Sequence, residues 1–164
     1  DDTVICIATD HFPYGLDENG KLGNMPNLSE LYGYNVTTSF ERDHSRLIIW
    51  SGCLEENEPI VVSSPTSSLD ILPTLSNLFG TEYDSRLFVG RDVFSETEAL
   101  VFNSSYDWKT DYGTYYASKG KFIANEGVTV PEGYVNNIKA IVRNKMQFCS
   151  MALETDYFRN LFEK

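Results

Sequence analysis

Residues 3–11 read TVICIATDH, and this short stretch decides the predicted fold. Residues 3–9 are mostly β-branched or apolar at consecutive positions, which is typical of a central strand covered on both faces, as in a parallel sheet. Asp10 and His11 follow directly at its C-terminal end. Ligands of open α/β sheets bind beyond the carboxyl ends of the strands. The stretch therefore predicts an α/β protein with a candidate site immediately after its first strand.

The rest of the chain alternates between strand and helix patterns. Further strands are predicted at residues 46–50, 59–62, 99–102, 114–117 and 122–124, and helices at residues 28–32, 67–79, 134–153 and 155–162. Gly80 is expected to end the second helix, Gly120 to form a hairpin turn, and Thr155 to cap the last helix. The predicted fold class is α/β, with a mixed sheet flanked by helices and a C-terminal hairpin with helices.

Composition limits the classes of function. The 164 residues fit one domain, and 41% hydrophobic with 13% aromatic residues is enough for a folded core. The 24 acidic and 13 basic residues give a formal net charge of −11. Such a surface repels nucleic-acid phosphates, so we expect no nucleic-acid partner. No run of residues reaches the roughly 18 apolar residues of a membrane span.

The three cysteines indicate neither a disulfide framework nor a zinc site. Cys6, Cys53 and Cys149 are odd in number, far apart and outside any C-x-x-C pair. Cys6 and Cys149 lie in apolar runs, so we expect both to be buried as small hydrophobic residues.

Asp10 and His11 are the sharpest chemical signal. A carboxylate oxygen and an imidazole nitrogen from adjacent residues at a strand end can reach one divalent ion. The dipeptide alone leaves another interpretation open, in which Asp10 caps a loop and His11 has a purely structural hydrogen bond. The chain also begins without Met, directly ahead of a strand pattern, and we expect it to be a part of a longer protein.

Four segments resemble, in order, motifs of the sulfatase and lipoteichoic-acid-synthase group within the alkaline-phosphatase superfamily. Residues 1–15 are similar to a strand that ends in G-D-H, and residues 44–51 to the strand T-P-F-I-I-W. Residues 68–80, SLDILPTLSNLFG, are similar to the helix D-I-L-P-T-L-L-N-L-L-G, and residues 90–94 to the element G-x-D-L-F.

The resemblance implies a partial alkaline-phosphatase-like (sulfatase) fold. Residues 1–164 would then be the C-terminal portion of a single catalytic domain, whose N-terminal half carries the nucleophile and is absent. Asp10 and His11 would be metal ligands, and no catalytic residue is assigned within the chain. Mn²⁺ or Mg²⁺ is the expected ion, with Ca²⁺ or Zn²⁺ as alternatives, completed by ligands upstream.

The implied activity is metal-dependent transfer of phosphoglycerol, or sulfatase-type hydrolysis of phosphate or sulfate esters. The expected partners are the missing half of the enzyme and an ester substrate linked to a lipid or glycan. We expect the parent to be anchored at the extracellular face of the cytoplasmic membrane, and this fragment to be soluble and inactive alone. The alternatives are a non-catalytic glycan-binding or scaffold domain at the cell surface, and a degenerate enzyme domain retained for packing.

Other candidate residues have structural interpretations. His44 lies among charged neighbours, which indicates a solvated approach to a strand instead of a catalytic base. Asp70 lies near a helix N-terminus, where its charge stabilises the helix dipole, and Thr74 is expected to pack. The aromatic residues of segment 106–116 could form a substrate lip, or Tyr115 and Tyr116 could belong to a strand and Trp108 could anchor a loop.

Overall fold

The computed structural model describes residues 3–17, 19–54 and 56–163, without the side chain of Leu54. The chain divides into two compact units, residues 1–60 and residues 61–164. The strands are β1 (Val4–Ile7), β2 (Ile48–Ser51), β3 (Val101–Phe102), β4 (Trp108–Thr110), β5 (Gly113–Tyr116) and β6 (Lys121–Ala124). The helices are α1 (Pro26–Tyr32), α2 (Ser39–Arg42), α3 (Ile71–Leu78), α4 (Tyr134–Glu154) and α5 (Tyr157–Phe162). The predicted α/β class is confirmed, as two antiparallel sheets with helices.

The first strand forms where it was predicted, but its neighbour runs in the opposite direction. β1 and β2 form an antiparallel ribbon in which Ile5 faces Trp50 and Ile7 faces Ile48. These four side chains are all exposed, so the prediction of a parallel strand covered on both faces is wrong for this structure. An apolar run predicts a strand, whereas the direction of the partner depends on which distant segment pairs with it.

The remainder of the N-terminal unit packs around a small cluster. Met25, Leu28 and Val36 are buried, and Phe12 and Tyr32 pack against them. The helix predicted at residues 28–32 is confirmed as α1, which begins two residues earlier. The cluster lies between the loop that follows β1 and helix α1, so it supports the residues directly after the candidate site.

The strand predicted at residues 59–62 is wrong. The structure assigns no strand to this segment, and Ile60 and Val61 are 79% and 84% exposed. A β-branched apolar run favours extended backbone, but a strand also needs a hydrogen-bonded neighbour. Such a neighbour is not found for these residues within the described part of the chain.

In the C-terminal unit, helix α3 forms as its sequence predicts. A single 3₁₀ turn, Ser68–Asp70, leads into α3, and Pro73 occupies the third helical position. Proline is tolerated there because the first turn of a helix has no internal acceptor for its missing N–H. Gly80 follows the helix with φ +63°, the left-handed conformation expected of a helix-ending glycine.

Four strands form an antiparallel meander, β3-β4-β5-β6, that packs against helix α4. The core between them consists of Trp108, Tyr115, Ile138 and Val142. The strands predicted near residues 99–102, 114–117 and 122–124 are confirmed with shifted ends. β4 was not predicted, because its three residues are too few for the alternating pattern to be visible.

In this unit a predicted turn glycine and a predicted helix are confirmed, and a predicted helix cap is wrong. Gly120 has φ +58° at the end of a 3₁₀ turn, which confirms the predicted hairpin glycine. The long helix is confirmed within one residue of its predicted end. Thr155 does not cap the last helix: its hydroxyl donates to Met151 O at 2.6 Å and so caps the end of α4. Asp156 precedes α5 instead, with φ +50°.

Across the described ranges, no helix has the length and apolar character needed to cross a lipid bilayer.

Candidate metal centre

The two predicted ligands lie on the loop that leaves β1. β1 ends at Ile7, and Asp10 and His11 follow after two residues. The hydroxyl of Thr9 donates a hydrogen bond to Ser45 Oγ, just ahead of β2. This bond joins the exit of one strand to the entry of the next. The backbone from which Asp10 and His11 project is therefore held at the open end of the ribbon.

The side chains of Asp10 and His11 converge. Asp10 Oδ2 lies 3.4 Å from His11 Nε2. The other ring nitrogen, His11 Nδ1, lies 2.7 Å from the carbonyl oxygen of Phe12. A carbonyl oxygen can only accept, so Nδ1 is the donor, and the neutral ring carries its lone pair on Nε2. The nitrogen able to bind a metal is thus the one that faces the carboxylate.

This geometry fits a divalent ion. Two ligand atoms that are each about 2.1 Å from one ion lie no more than about 4.2 Å apart, which the observed separation satisfies. Protein metal ligands of the imidazole type usually donate their other N–H to a carbonyl or carboxylate, as His11 does to Phe12. When the ring is protonated on both nitrogens, the same contact is an exposed ion pair with Asp10, which contributes little stability.

Asp10 and His11 are exposed, and together they offer two candidate ligands. Their side chains are 87% and 45% exposed. Within residues 3–17, 19–54 and 56–163, no group of three His, Cys, Asp or Glu side chains could hold a metal ion. The pair can therefore contribute to a metal shell, and a complete shell needs further ligands.

One aromatic ring stacks on the His11 imidazole, and a second ring supports the first. Tyr14 stacks on His11, with ring centroids 4.1 Å apart and planes inclined by 9°. Phe12 meets Tyr14 edge-on at 4.7 Å. The guanidinium of Arg42 lies 4.7 Å from the centre of the Phe12 ring. Hydrogen bonds to Asp43 raise the pKa of Arg42, against the effect of burial, so the cation next to Phe12 stays charged.

His44 is exposed and contacts Tyr34, whose hydroxyl lies 3.2 Å from His44 Nδ1. The same hydroxyl donates to Glu41 O at 2.9 Å. The predicted solvated position of His44 is confirmed.

Asp70 and Thr74 are structural, as predicted. The buried Asp70 carboxylate accepts hydrogen bonds from Ser67 N and Arg91 N, both at 2.8 Å. Thr74 Oγ1 donates to Asp70 O at 2.6 Å and accepts from Val93 N at 3.1 Å. The motif at residues 68–80 is thereby bonded to the motif at residues 90–94. The sequence motifs did not show that these two segments form one hydrogen-bonded unit.

Close packing accompanies these bonds. A Cβ atom at Gly90 would lie 2.1 Å from Leu69 O, so only glycine allows the two backbones to approach this closely. This contact with the 3₁₀ turn that leads into α3 explains why the motif at residues 90–94 begins with glycine.

The aromatic segment is mainly core, which contradicts a substrate lip built on Trp108. Trp108 is 1% exposed and stacks on Tyr115 at 5.4 Å. Tyr115 and Tyr116 lie in β5, as the alternative interpretation predicts, whereas Trp108 lies in β4 and does not anchor a loop. Tyr106 is the exposed aromatic residue of this segment at 46%.

The prediction that Cys6 is buried is wrong. Cys6 and Cys53 are exposed, and Cys149 is half-buried. Cys6 lies on β1 and is exposed, although Val4 and Ile49 on the same face of the ribbon are half-buried, so an apolar neighbourhood in sequence did not imply burial.

The chain is similar to lipoteichoic acid synthase of Staphylococcus aureus. Identity to the protein of strain USA300 is 26% over 165 residues, which covers 97% of this chain and 24% of the relative. The proteins of strains NCTC 8325 / PS 47 and COL match to the same extent. No family model and no solved structure matches the chain.

These comparisons confirm the resemblance predicted from the four motifs. The similarity implies an alkaline-phosphatase-like fold, of which the chain is a part. The chain spans about a quarter of the length of the curated relatives it matches, at 24%.

Proposed function

We propose that this chain supplies Asp10 and His11 to the divalent-metal centre of a larger phosphoryl- or sulfuryl-transfer enzyme of the lipoteichoic acid synthase type. The observation that carries the proposal is the convergence of Asp10 Oδ2 and His11 Nε2, 3.4 Å apart at the exit of β1. The similarity to lipoteichoic acid synthase over 97% of the chain supports the reaction class. Transfer of phosphoglycerol is the first candidate reaction, and hydrolysis of phosphate or sulfate esters is the second.

In this proposal the chain's own residues hold and orient the ion. Asp10 contributes a negatively charged oxygen, and His11 contributes a neutral nitrogen whose direction is set by the bond from Nδ1 to Phe12 O. Mn²⁺ or Mg²⁺ suits this donor set, with Ca²⁺ or Zn²⁺ as alternatives. When bound, such an ion neutralises charge on the transferring group. The nucleophile and the other ligands come from the rest of the enzyme, so the chain by itself has no turnover.

The ribbon offers a surface for the rest of the same polypeptide. Side chains alternate along a strand, so Ile5, Ile7, Ile48 and Trp50 share one face of the ribbon. Their exposures are 44%, 55%, 51% and 42%, an apolar patch that folded proteins usually cover. The relatives are about four times as long as this chain, at 24% coverage, and so have residues to cover it. We assign this face to packing against the remainder of the catalytic domain, of which residues 1–164 are the C-terminal portion.

The proposed substrate and location are those expected for an enzyme of the lipoteichoic acid synthase type. A phosphate- or sulfate-ester linked to a lipid or glycan is the proposed substrate, at the extracellular face of a membrane to which the parent is anchored. The net charge of −11 disfavours nucleic acid as a partner.

The two histidines of the chain provide a direct test. In a Mn²⁺ titration followed by NMR, paramagnetic broadening of the His11 ring signals is expected at several-fold lower concentration than that of His44. The reason is that His11 Nε2 faces a carboxylate oxygen, whereas His44 contacts Tyr34. Binding is expected to be weak, because two ligands rarely form a complete site.

Asp10→Asn is expected to abolish the difference between the two histidines. The matched control is Asp43→Asn, which changes an exposed carboxylate next to His44 that is bonded to Arg42. Equal broadening of His11 and His44 in the unsubstituted chain would contradict the metal centre. Preferential broadening of His11 that survives Asp10→Asn would contradict the role of the carboxylate.

A further inference from the structure

The orientation of the His11 ring needs an explanation beyond its hydrogen bond. The side chain of His11 is 45% exposed, and a single bond from Nδ1 to Phe12 O leaves an exposed ring free to exchange between rotamers. The stacked ring of Tyr14, at 4.1 Å and 9°, covers one face of the imidazole. A parallel contact of this kind restricts ring rotation, because any tilt separates the two faces.

A tight turn and a contact with Phe12, which packs against the buried cluster, hold Tyr14 in place. Pro13 and Leu16 close a tight turn through a bond from Leu16 N to Pro13 O at 3.2 Å, which carries the Tyr14 ring back over His11. Phe12 supports the Tyr14 ring edge-on, with planes at 90°. Phe12 in turn packs against the buried cluster that includes Leu28. The buried cluster therefore contacts Phe12, Phe12 contacts Tyr14, and Tyr14 contacts the imidazole.

We propose that Tyr14 is a positioning residue of the metal centre. Its ring holds the His11 imidazole so that Nε2 faces Asp10 Oδ2 while Nδ1 donates to Phe12 O. The proposal rests on the metal-binding function proposed above, although the orientation of the ring can be measured without metal. The Tyr14 hydroxyl plays no part in this role, so Phe is expected to replace Tyr at this position and Ala or Leu is not.

The first measurement is the NMR spectrum of the His11 ring in metal-free protein. Tyr14→Ala and Tyr14→Leu are expected to shift the His11 ring protons downfield, because the ring current of Tyr14 is lost. Both variants should also increase the fraction of the tautomer with the proton on Nε2. Tyr14→Phe should retain the shifts and the tautomer. Tyr34→Ala is the matched control, because Tyr34 lies beside His44, with ring centroids 6.4 Å apart.

The second measurement repeats the Mn²⁺ titration on the same variants. Tyr14→Ala and Tyr14→Leu are expected to raise the concentration that half-broadens His11 by about three- to tenfold, the effect of one aromatic contact. Tyr14→Phe and Tyr34→Ala should leave it unchanged. Tyr14 is 56% exposed, and backbone amide shifts elsewhere in the unit serve to verify that each variant is folded.

The two proposals fail in different ways. Unchanged His11 shifts and tautomer in Tyr14→Ala would overturn the positioning role, even if Mn²⁺ binds at His11. The positioning role would also be overturned if Tyr14→Phe changed the His11 shifts and tautomer as much as Tyr14→Ala does. Phe keeps the stacked ring, so stacking would then not be the cause. Absence of preferential Mn²⁺ broadening at His11 in the unsubstituted chain would overturn the metal centre, and with it the role of Tyr14 there.

Discussion

The two units of the chain differ in where their apolar residues lie. In residues 61–164 a four-stranded meander and helix α4 enclose Trp108, which is 1% exposed. In residues 1–60 the ribbon exposes Trp50 at 42% and Ile7 at 55%, and the buried cluster among the residues that the structure describes there consists of Met25, Leu28 and Val36. Asp10 and His11 lie in the unit with the smaller buried cluster, on the loop that follows the exposed ribbon. The difference shows that the larger hydrophobic core of the described residues lies in residues 61–164, and that the candidate ligands lie outside it.

The two tryptophans of the chain test this contrast with the largest expected effect. Trp108→Ala should lower the free energy of unfolding by about 3–5 kcal/mol, because it removes a fully buried indole between sheet and helix. Trp50→Ala should change it by about 0.5 kcal/mol or less, because its side chain is exposed. Urea unfolding of both variants, followed by circular dichroism, measures the difference.

Trp108→Phe is the matched control for the larger effect. It keeps an aromatic ring against Tyr115, and among the described side chains the Trp108 indole N–H has no hydrogen-bond partner to lose. A cost below that of Trp108→Ala is expected. Similar costs for Trp50→Ala and Trp108→Ala would contradict the placement of Trp108 in a core and of Trp50 at the surface.

Asp70 tests the bond between the two motifs of the second unit. Asp70→Ala leaves Ser67 N and Arg91 N without their acceptor and should destabilise by about 2–4 kcal/mol. Asp84→Ala is the control, because the Asp84 carboxylate pairs with Arg86 and accepts from Arg86 N at the surface, and its loss should destabilise less than that of the buried Asp70. Urea midpoints at pH 7 compare the two. Equal losses in both variants would show that the buried carboxylate has no special role.

The smallest expected effect is a dependence of the free energy of unfolding on pH, caused by Glu41 in residues 1–60. Burial alone would raise the pKa of Glu41, but hydrogen bonds from Thr37 and Thr38 outweigh burial and lower it below its usual 4.5. The lowered pKa means that the folded unit favours the carboxylate. This contribution to stability is fully present above pH 4.5 and is lost as the pH falls through the lower pKa of the folded state.

Glu41→Gln should therefore be less stable than the unsubstituted chain by about 1 kcal/mol or less at pH 7. The difference should disappear in strong acid, where the carboxylate is protonated in both states. Urea unfolding between pH 2 and pH 7 measures it, with Glu30→Gln, an exposed carboxylate on α1, as the control. A difference that stays constant with pH would contradict the assignment to the Glu41 carboxylate.

Much of this molecule could be predicted from local sequence. Helices α3 and α4 follow from apolar spacing, and Gly80 and Gly120 from their need for a left-handed conformation. Asp10 and His11 converge partly because adjacent residues at a strand end are close together whatever the rest of the chain does. The resemblance of the four motifs, which the comparisons confirm, is likewise a property of short segments.

The errors involve contacts between segments far apart in the chain. The partner of β1 is β2, more than 40 residues later, and no periodicity within β1 specifies that it runs antiparallel. Strand β4 is recognised by its hydrogen bonds to β3 and β5, and its own three residues carry no pattern. Cys6 is exposed although its neighbours in sequence are apolar, because burial depends on which distant segments pack over a strand.

The sequence by itself determined helices α1, α3, α4 and α5, the turn glycines and the pair of residues proposed to bind metal, because backbone preference and adjacency act over a few residues. Helix α2 was not predicted. Only the tertiary structure decided the antiparallel ribbon, the burial of Trp108 and the bond from Asp70 to Arg91. It also decided that Tyr14 stacks on His11. Each of these depends on how the folded chain brings side chains and backbone groups together in space, and local preference does not specify such contacts.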